Sequence, residues 1–507
     1  GLAVVSLVAA YSIFSGFYGL VAIQGLQFIC VLVSTIAIVV LAVGAAPPFE
    51  RLRSMAIEAT GNPAWGQLLP GEDFALPAGY AAYEPWLFLA TIYLLRNVLF
   101  GMGAGDDPKC LAAQRDTDCP KLSLLWVTLI ALRWPTMMAF AVLAITVVHA
   151  DSQSGLNYQA ASQAVRMHLP DGDWRTVVAS LSAHPSEQPE SLRQSLRTTL
   201  GEDWHRRLPD LTEQGTLDPE RLIPVVLETA VPSGLRGLIL VSLLAAATAG
   251  LSGWLNQAAG LFANDIYLVW FRPSAGTAEQ IATTWSVVLV VVGLGYLLAF
   301  SSPTVNDIWS WLQMGLGSGL IVAQLLPLYW RRYNGVGFAA GLAGGLLAAT
   351  LHRLAMPYLG ADTPLLGGEW FLLAVVLLAG LVASIVGTLL SPETDRAVLS
   401  HFYLKTLPFG FWSVERSMLP TDQRKELSKC HSRDVTTLPV ALLYQVMIFL
   451  SPMLAVVGKY SSAALCAAAA AVSLLALWRV YFSQLDEESD LVDRIQMGLA
   501  STSDLRS

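Results

Sequence analysis

Charged and amide side chains are scarce inside the apolar runs of this chain, so the few that occur there are the first candidates for chemistry. A charge in hydrocarbon is costly, and one that persists marks either a site or a pairing. Arg96 and Asn97 lie side by side in the apolar stretch 84–103, and Tyr93, four residues before Asn97, shares its helical face. Two roles stand open for Arg96: binding an anionic solute, or pairing and snorkelling within the protein. Asp307, with Asn306 and Ser310, opens the stretch 305–330. A carboxylate is favoured at a helix N-terminus, so Asp307 is read as a cap or as a solute ligand. Gln313 and Gln324 lie deeper in that stretch, able to hydrogen-bond a polar solute or another helix. His352-Arg353 are read as snorkelling residues, with proton coupling as the alternative.

No nucleophile–base pair, phosphate loop or metal cluster stands out, so the chain is read as a non-enzyme without cofactor or metal. The five cysteines form no CxxC pair, and Cys430-His431 is read as an ordinary loop. Gly337, Gly341 and Gly345 recur every fourth residue in one apolar run, the spacing that lets helices pack closely.

The elements that must position these residues are membrane helices. The chain has 507 residues, 54% hydrophobic and only 13% charged, against about 25% charged in a soluble domain. No long basic run invites nucleic acid, and lipid must be much of the solvent. Apolar runs long enough to span a bilayer occur at 1–22, 25–45, 84–103, 122–149, 232–257, 279–301, 305–330, 335–355, 370–391, 437–458 and 462–482. The expectation is an all-α polytopic membrane protein of about 11 transmembrane helices, because only helices satisfy their backbones in runs of this kind. Lysines and arginines alternate between loops. That pattern puts 104–121, 271–278, 331–334 and 392–436 in the cytoplasm and 46–83, 150–231, 302–304, 356–369 and 459–461 outside.

The expected organisation is membrane helices at 1–149, an extracytoplasmic helical insertion at 150–231, and membrane helices at 232–391. A cytoplasmic connector follows at 392–436, then a helix pair at 437–482 and a cytoplasmic tail at 483–507. The insertion carries amphipathic stretches such as Leu192 to Leu208 and is read as an outer cap, or as a docking site for a partner. The chain opens at Gly1 inside an apolar run, with no initiator Met or leader pattern, so its start is read as missing or as lying within a longer product.

Three stretches resemble the sodium:solute symporter family. Val231-Pro-Ser-Gly-Leu-Arg-Gly-Leu leads through Ala245-Ala-Ala-Thr-Ala-Gly-Leu-Ser-Gly-Trp-Leu-Asn256 to Asn264-Asp-Ile-Tyr267. This is similar to the family's Pro-Gly-x-x-Gly-Leu entry, small-residue helix and Asp-Ile-Tyr. Tyr11-Ser-Ile-Phe-Ser-Gly-Phe-Tyr-Gly-Leu resembles the family's turn between two core helices. Tyr329-Trp-Arg-Arg-Tyr-Asn334 and Phe402 to Trp412 resemble its later connections.

The resemblance implies a LeuT-like inverted-repeat bundle, with solute and ion near the midplane at broken helices. Residues 1–149 then resemble core helices four to seven, and 232–391 resemble core helices eight to ten plus two further spans. The first three core helices would lie before Gly1, either truncated or on another chain. The resemblance also implies that the stretch 84–103 lines the solute site, near Asn97.

In the family, hydroxyls on the helix at 232–257 and an acid near Gln27 belong to a sodium site. The aligned places here are Ala249 and Gly250, with Ala246 alongside, and Gln24. None is a hydroxyl or a carboxylate, so these are degenerate sodium-site positions and sodium binding is doubtful. The expected function is a secondary transporter of a small polar or anionic solute with a degraded sodium site, in a bacterial inner membrane. The alternative is a transport-inactive scaffold subunit that holds membrane partners through 150–231 or 437–482.

Overall fold

A computed structural model describes residues 2–60, 62–67, 85–103, 113, 115, 117–170, 172–218, 220–301, 305–359 and 368–503. In chain order its main helices are α1 (Leu2–Ala45), α2 (Phe49–Thr60), α3 (Trp86–Gly103), α4 (Asp118–Ile130) and α5 (Arg133–Gln153). Then come α6 (Tyr158–His168), α7 (Trp174–Ala183), α8 (Glu190–Leu200), α9 (Leu222–Thr229), α10 (Ser233–Leu261) and α11 (Thr277–Ser301). After these follow α12 (Val305–Ser310), α13 (Ile321–Tyr329), α14 (Gly335–Leu359), α15 (Glu369–Leu390) and α16 (Arg396–Thr406). The last three are α17 (Thr421–Val456), α18 (Tyr460–Val480) and α19 (Leu485–Ser503). Among the described residues, 9 helical segments are long and apolar enough to cross a membrane, and Trp86–Met102 is a shorter apolar one. The chain is an all-α polytopic membrane protein.

Several boundaries differ from the sequence expectation, each for a local reason. The runs 1–22 and 25–45 form one continuous helix of 44 residues, α1, in place of two spans and a turn. The connection Val21-Ala22-Ile23-Gln24 has no Pro, Asn or Asp to stop a helix, and one Gly at 25 is tolerated. The run 122–149 is two helices, α4 and α5, separated at Ala131–Leu132. Pro135 cannot donate to the carbonyl four residues back, which falls at this break. The expected connector 392–436 gives up its end to α17, which starts at Thr421 because Gln423 to Lys429 are mostly good helix formers. The expected span 232–257 runs on as α10 to Leu261 and then through π-helical turns over Phe262–Phe271.

The chain separates into two compact units. The first comprises Gly1–Gly71, Leu132–Pro303 and Pro452–Tyr460. Its apolar core joins Ile38 and Ala42 of α1, Leu52 and Met55 of α2, and Phe140 and Leu143 of α5. The insertion, in this unit, has a separate core. Leu192, Leu196, Leu200, Trp204 and Leu208 recur every fourth residue, are all buried, and meet Ala161, Val165, Trp174 and Val178. Asn157 and Asp173 cap α6 and α7 by accepting the backbone N–H groups of Ala160 and Thr176. The Trp174 indole donates to the Leu211 carbonyl at 2.7 Å, so the ring is buried without stranding its polar atom.

The second unit comprises Glu72–Ala131, Thr304–Ser451 and Ser461–Ser507. Here α14 and α15 pack through small residues. Gly337 and Gly341 face Thr388 and Ser384, and Gly345 lies against Gly319. The connector folds with the C-terminal helix: Leu399, Tyr403, Leu407 and Trp412 bury against Leu491 and Ile495 of α19. Arg331 and Glu415 pair at 2.7 Å, and the Trp412 indole donates to the Leu328 carbonyl, tying the connector to the end of α13.

Candidate functional site

Two polar clusters lie inside the apolar helices, one in each unit. In the second unit the cluster is built around Arg96, which is only 7% exposed on α3. Between α12 and α13 the chain makes a π-helical turn, Trp311–Leu316. Widening to a π turn frees carbonyls from the regular ladder. The Gln313 carbonyl accepts from Arg96 Nη2 at 3.0 Å and from the Ser318 hydroxyl at 3.1 Å. Arg96 Nη1 donates to Asn97 Oδ1 at 2.9 Å, and Nε to Ser318 Oγ at 3.4 Å. The guanidinium also stands 5.1 Å from the Phe100 ring centroid, within range of a cation–π contact. Gly317 makes room for it: a Cβ there would sit 2.6 Å from Arg96 Nη2.

No carboxylate pairs with Arg96 among the described residues; its acceptors are an amide, a hydroxyl and a backbone carbonyl. A buried cation satisfied only by neutral groups keeps its full charge, and so has the electrostatics to attract an anion. Tyr93, one turn earlier, does something else. Its hydroxyl donates to Glu369 Oε2 at 2.5 Å, and Ser310 donates to Glu369 Oε1 at 2.7 Å. This bridge ties α3 and α12 to the first turn of α15, where a carboxylate is also favoured by the helix end.

Of the residues singled out from sequence, Arg96, Asn97 and Gln313 therefore meet, Gln313 through its main chain, while Tyr93 turns to Glu369. Asp307 stands on α12, but its side chain lies outside the described ones. Ser310, named beside Asp307, meets Glu369; Glu369, Ser318 and Gly317 were not anticipated. Glu369 has a detectable signal, an acid directly before the apolar run 370–391.

In the first unit a polar ladder joins α1 to α10. Gln24 Nε2 donates to the Ala249 carbonyl at 3.3 Å, and Gln27 Nε2 to the Thr248 hydroxyl at 3.0 Å. Further along, the Ser34 and Ser242 hydroxyls meet at 2.6 Å, and Ser242 also donates to the Cys30 carbonyl at 2.9 Å. Two of the degenerate positions, Gln24 and Ala249, are thus in direct contact. Ala246 and Gly250 are exposed on α10, away from that contact, and a Cβ on Gly250 would meet nothing within 4 Å. Thr248 is buried and turned toward α1, with its hydroxyl donating to the Ala245 carbonyl at 3.0 Å.

The ladder carries both amide donors and oxygens, and the Gln27 Oε1 atom is buried with no hydrogen-bond partner among the described residues. Sodium needs several oxygens with free lone pairs, as hard cations do. Here the Ala249 carbonyl is directed at an amide N–H, the positive end of a dipole. The side chains at positions 24 and 249, where the resemblance implies a carboxylate and a hydroxyl, are an amide and a methyl.

Residues 202–345 match the profile described as the sodium:solute symporter family. That stretch is similar to this family. The sodium/mannose cotransporter of Bos taurus is 30% identical over 201 residues, which are 36% of this chain and 33% of that protein. The osmoregulated proline transporter of Bacillus subtilis is 30% identical over 135 residues, 26% of this chain and 27% of the relative. The sodium/proline symporter of Haemophilus influenzae is 25% identical over 189 residues, 36% of each chain. The chain spans about a third of the length of these curated relatives. Among solved structures, an outward-open Na+-coupled sialic acid symporter overlaps 78% of this chain and 98% of its own, at 13% identity and a TM-score of 0.27. That overlap is too loose to compare positions. The family match, by contrast, covers α10 and its π-helical extension, the helix that carries Ala246, Ala249 and Gly250.

Proposed function

We propose that this chain forms part of a membrane carrier for a small polar or anionic solute, built on the sodium:solute symporter scaffold but lacking that family's usual sodium site. The single observation that supports this most is the Gln24–Ala249 contact. An amide donor occupies the carbonyl at the place where the family resemblance implies cation ligands. Arg96 supports the preference for an anionic solute, since its charge is answered only by neutral acceptors among the described residues. The multi-pass chain would lie in a bacterial inner membrane, with the insertion outward and the connector inward.

A second reading, a scaffold subunit without transport, draws on the same ladder. Side-chain hydrogen bonds from Gln24 to Ser34 fasten α1 to α10, and a fastened pair of helices suits a holder of partners better than a moving gate.

The experiment is thermal unfolding of the purified chain in mild detergent, in sodium chloride and in potassium chloride at equal ionic strength. The expected result is the same midpoint in both salts. A ligand present at 100 times its dissociation constant would stabilise by about 2.7 kcal/mol, so a midpoint several degrees higher in sodium would overturn the proposal.

A further inference from the structure

The connector encloses a site that the transport reading does not use. Leu407, at the end of α16, holds a left-handed backbone (φ 39) that costs a non-glycine residue energy. The turn that follows lays the Phe409 ring on His431, with centroids 4.0 Å apart, and His431 Nε2–H donates to the Leu407 carbonyl at 3.1 Å. The strained turn is therefore held by α17. Beside this stack is a cavity of about 390 Å³ whose wall includes Arg416, Ser428 and Ser432. Adjoining it is a mostly apolar groove of about 580 Å³.

Arg416 lines the first cavity, and its Nε is buried with no hydrogen-bond partner among the described residues. The neighbouring carboxylate, Glu415, is engaged elsewhere by Arg331 at 2.7 Å. Ser428, Ser432 and Thr436 also line it, every fourth residue along α17 and so in a row on one helical face; the Thr436 hydroxyl donates to the Arg433 carbonyl at 2.9 Å, which leaves the two serines as the hydroxyl donors. A guanidinium fork beside serine hydroxyls has the donor geometry of a phosphate site. The row ends just before the apolar part of α17, so it sits where headgroups meet hydrocarbon. The adjoining groove is lined by Met102, Leu328, Leu438 and Leu491, side chains suited to an acyl chain.

We infer that this paired cavity binds an anionic phospholipid, its phosphate against Arg416 and the α17 hydroxyls and one tail in the apolar groove. Basic pockets beside membrane helices recognise such headgroups by charge and donor geometry. Charge complementarity with Arg416 selects the anionic class over a zwitterionic one, and the adjoining apolar groove selects a lipid over a free phosphate ester.

The test is native mass spectrometry of the full chain in detergent with an equimolar mixture of phosphatidylglycerol and phosphatidylcholine. The expected result is selective retention of phosphatidylglycerol, reduced on the order of tenfold in Arg416→Gln, as for loss of a charge-assisted hydrogen bond. Ser432→Glu, at an exposed helical position where folding is undisturbed, is expected to abolish the selectivity by placing a carboxylate in the cavity. Equal retention of both lipids, or a Ser432→Glu chain indistinguishable from the parent, would overturn the inference. So would an Arg416-dependent midpoint shift with inorganic phosphate or glycerol 3-phosphate in the absence of lipid retention, which would identify a soluble ligand.

Discussion

Gln24 offers the most direct residue-scale lever on the α1–α10 contact. Replacing it with Asp removes the donor that holds the Ala249 carbonyl and supplies a carboxylate in its place. Ala249→Ser then adds a second oxygen on α10. The double variant is expected to gain a sodium-dependent rise in thermal midpoint that neither the parent nor Ala249→Ser alone shows. Arg96→Ala makes a complementary case. It leaves Asn97 Oδ1 and Ser318 Oγ without the guanidinium donor and the Gln313 carbonyl with the Ser318 hydroxyl alone, and is expected to destabilise the chain by about 3 kcal/mol, as truncating one partner in a buried charged network does. A denaturant titration in detergent reads that loss, and a change below about 0.5 kcal/mol would show that Arg96 is not held as described.

Much of this residue chemistry was legible from the sequence. A cation in an apolar run draws attention by its cost alone, and that singled out Arg96. Absent hydroxyls at 249 and 250 are visible without coordinates. What remained hidden was direction. Tyr93 shares a face with Asn97 by spacing, yet its hydroxyl turns to Glu369, and no sequence rule announces a partner 276 positions away.

At the scale of elements, close approach depends on glycines that have no substitute. A Cβ on Gly345 would sit 2.7 Å from the Gly319 Cα, which is backbone and cannot swing aside. Gly345→Ala is expected to cost about 1–3 kcal/mol as an overpacking change. Gly335→Ala, where a Cβ would meet nothing within 4 Å, is expected to lie within about 0.5 kcal/mol of the parent. Comparing the two variants by unfolding in detergent separates packing from helix propensity. Equal behaviour would contradict the packed contact of Gly345 with Gly319.

The apolar runs read correctly as helices because twenty apolar residues leave no other backbone solution in lipid. Their joints read poorly. The break at Ala131–Leu132 is signalled by Pro135 only four residues later, and the fusion of 1–22 with 25–45 by a lack of stop signals. The π turn at Trp311–Leu316 has no sequence signature, since it arises from packing Arg96 against Gln313 and Gly317.

For the whole molecule, the insertion gives a pH-dependent signal distinct from the membrane helices. Burial lifts the Asp210 carboxyl from 3.8 to about 6, with Glu228 and Asp218 adding to the rise and Arg221 opposing it. Between those values the folded state holds a proton that the unfolded chain releases. The associated stability is therefore full below about pH 4 and is lost as pH rises through about 6. Asp210→Asn is expected to raise stability at pH 7 by about 1 kcal/mol, allowing for partial solvent screening, and to change little at pH 3.5. Tyr158 near Asp151 titrates too high to contribute in this range, because burial and its hydrogen bond to that carboxylate both hold its proton. Tryptophan fluorescence reports the transition, since Trp174 and Trp204 lie in this core. A pH-independent difference between parent and variant would refute the assignment.

The proposal that the sodium site is lost is tested most directly by equilibrium binding of radioactive sodium to the purified chain, alongside Gln24→Asp/Ala249→Ser. Background-level binding to the parent and a saturable signal in the double variant are the predicted pair. Saturable, potassium-resistant sodium binding to the parent chain would contradict it.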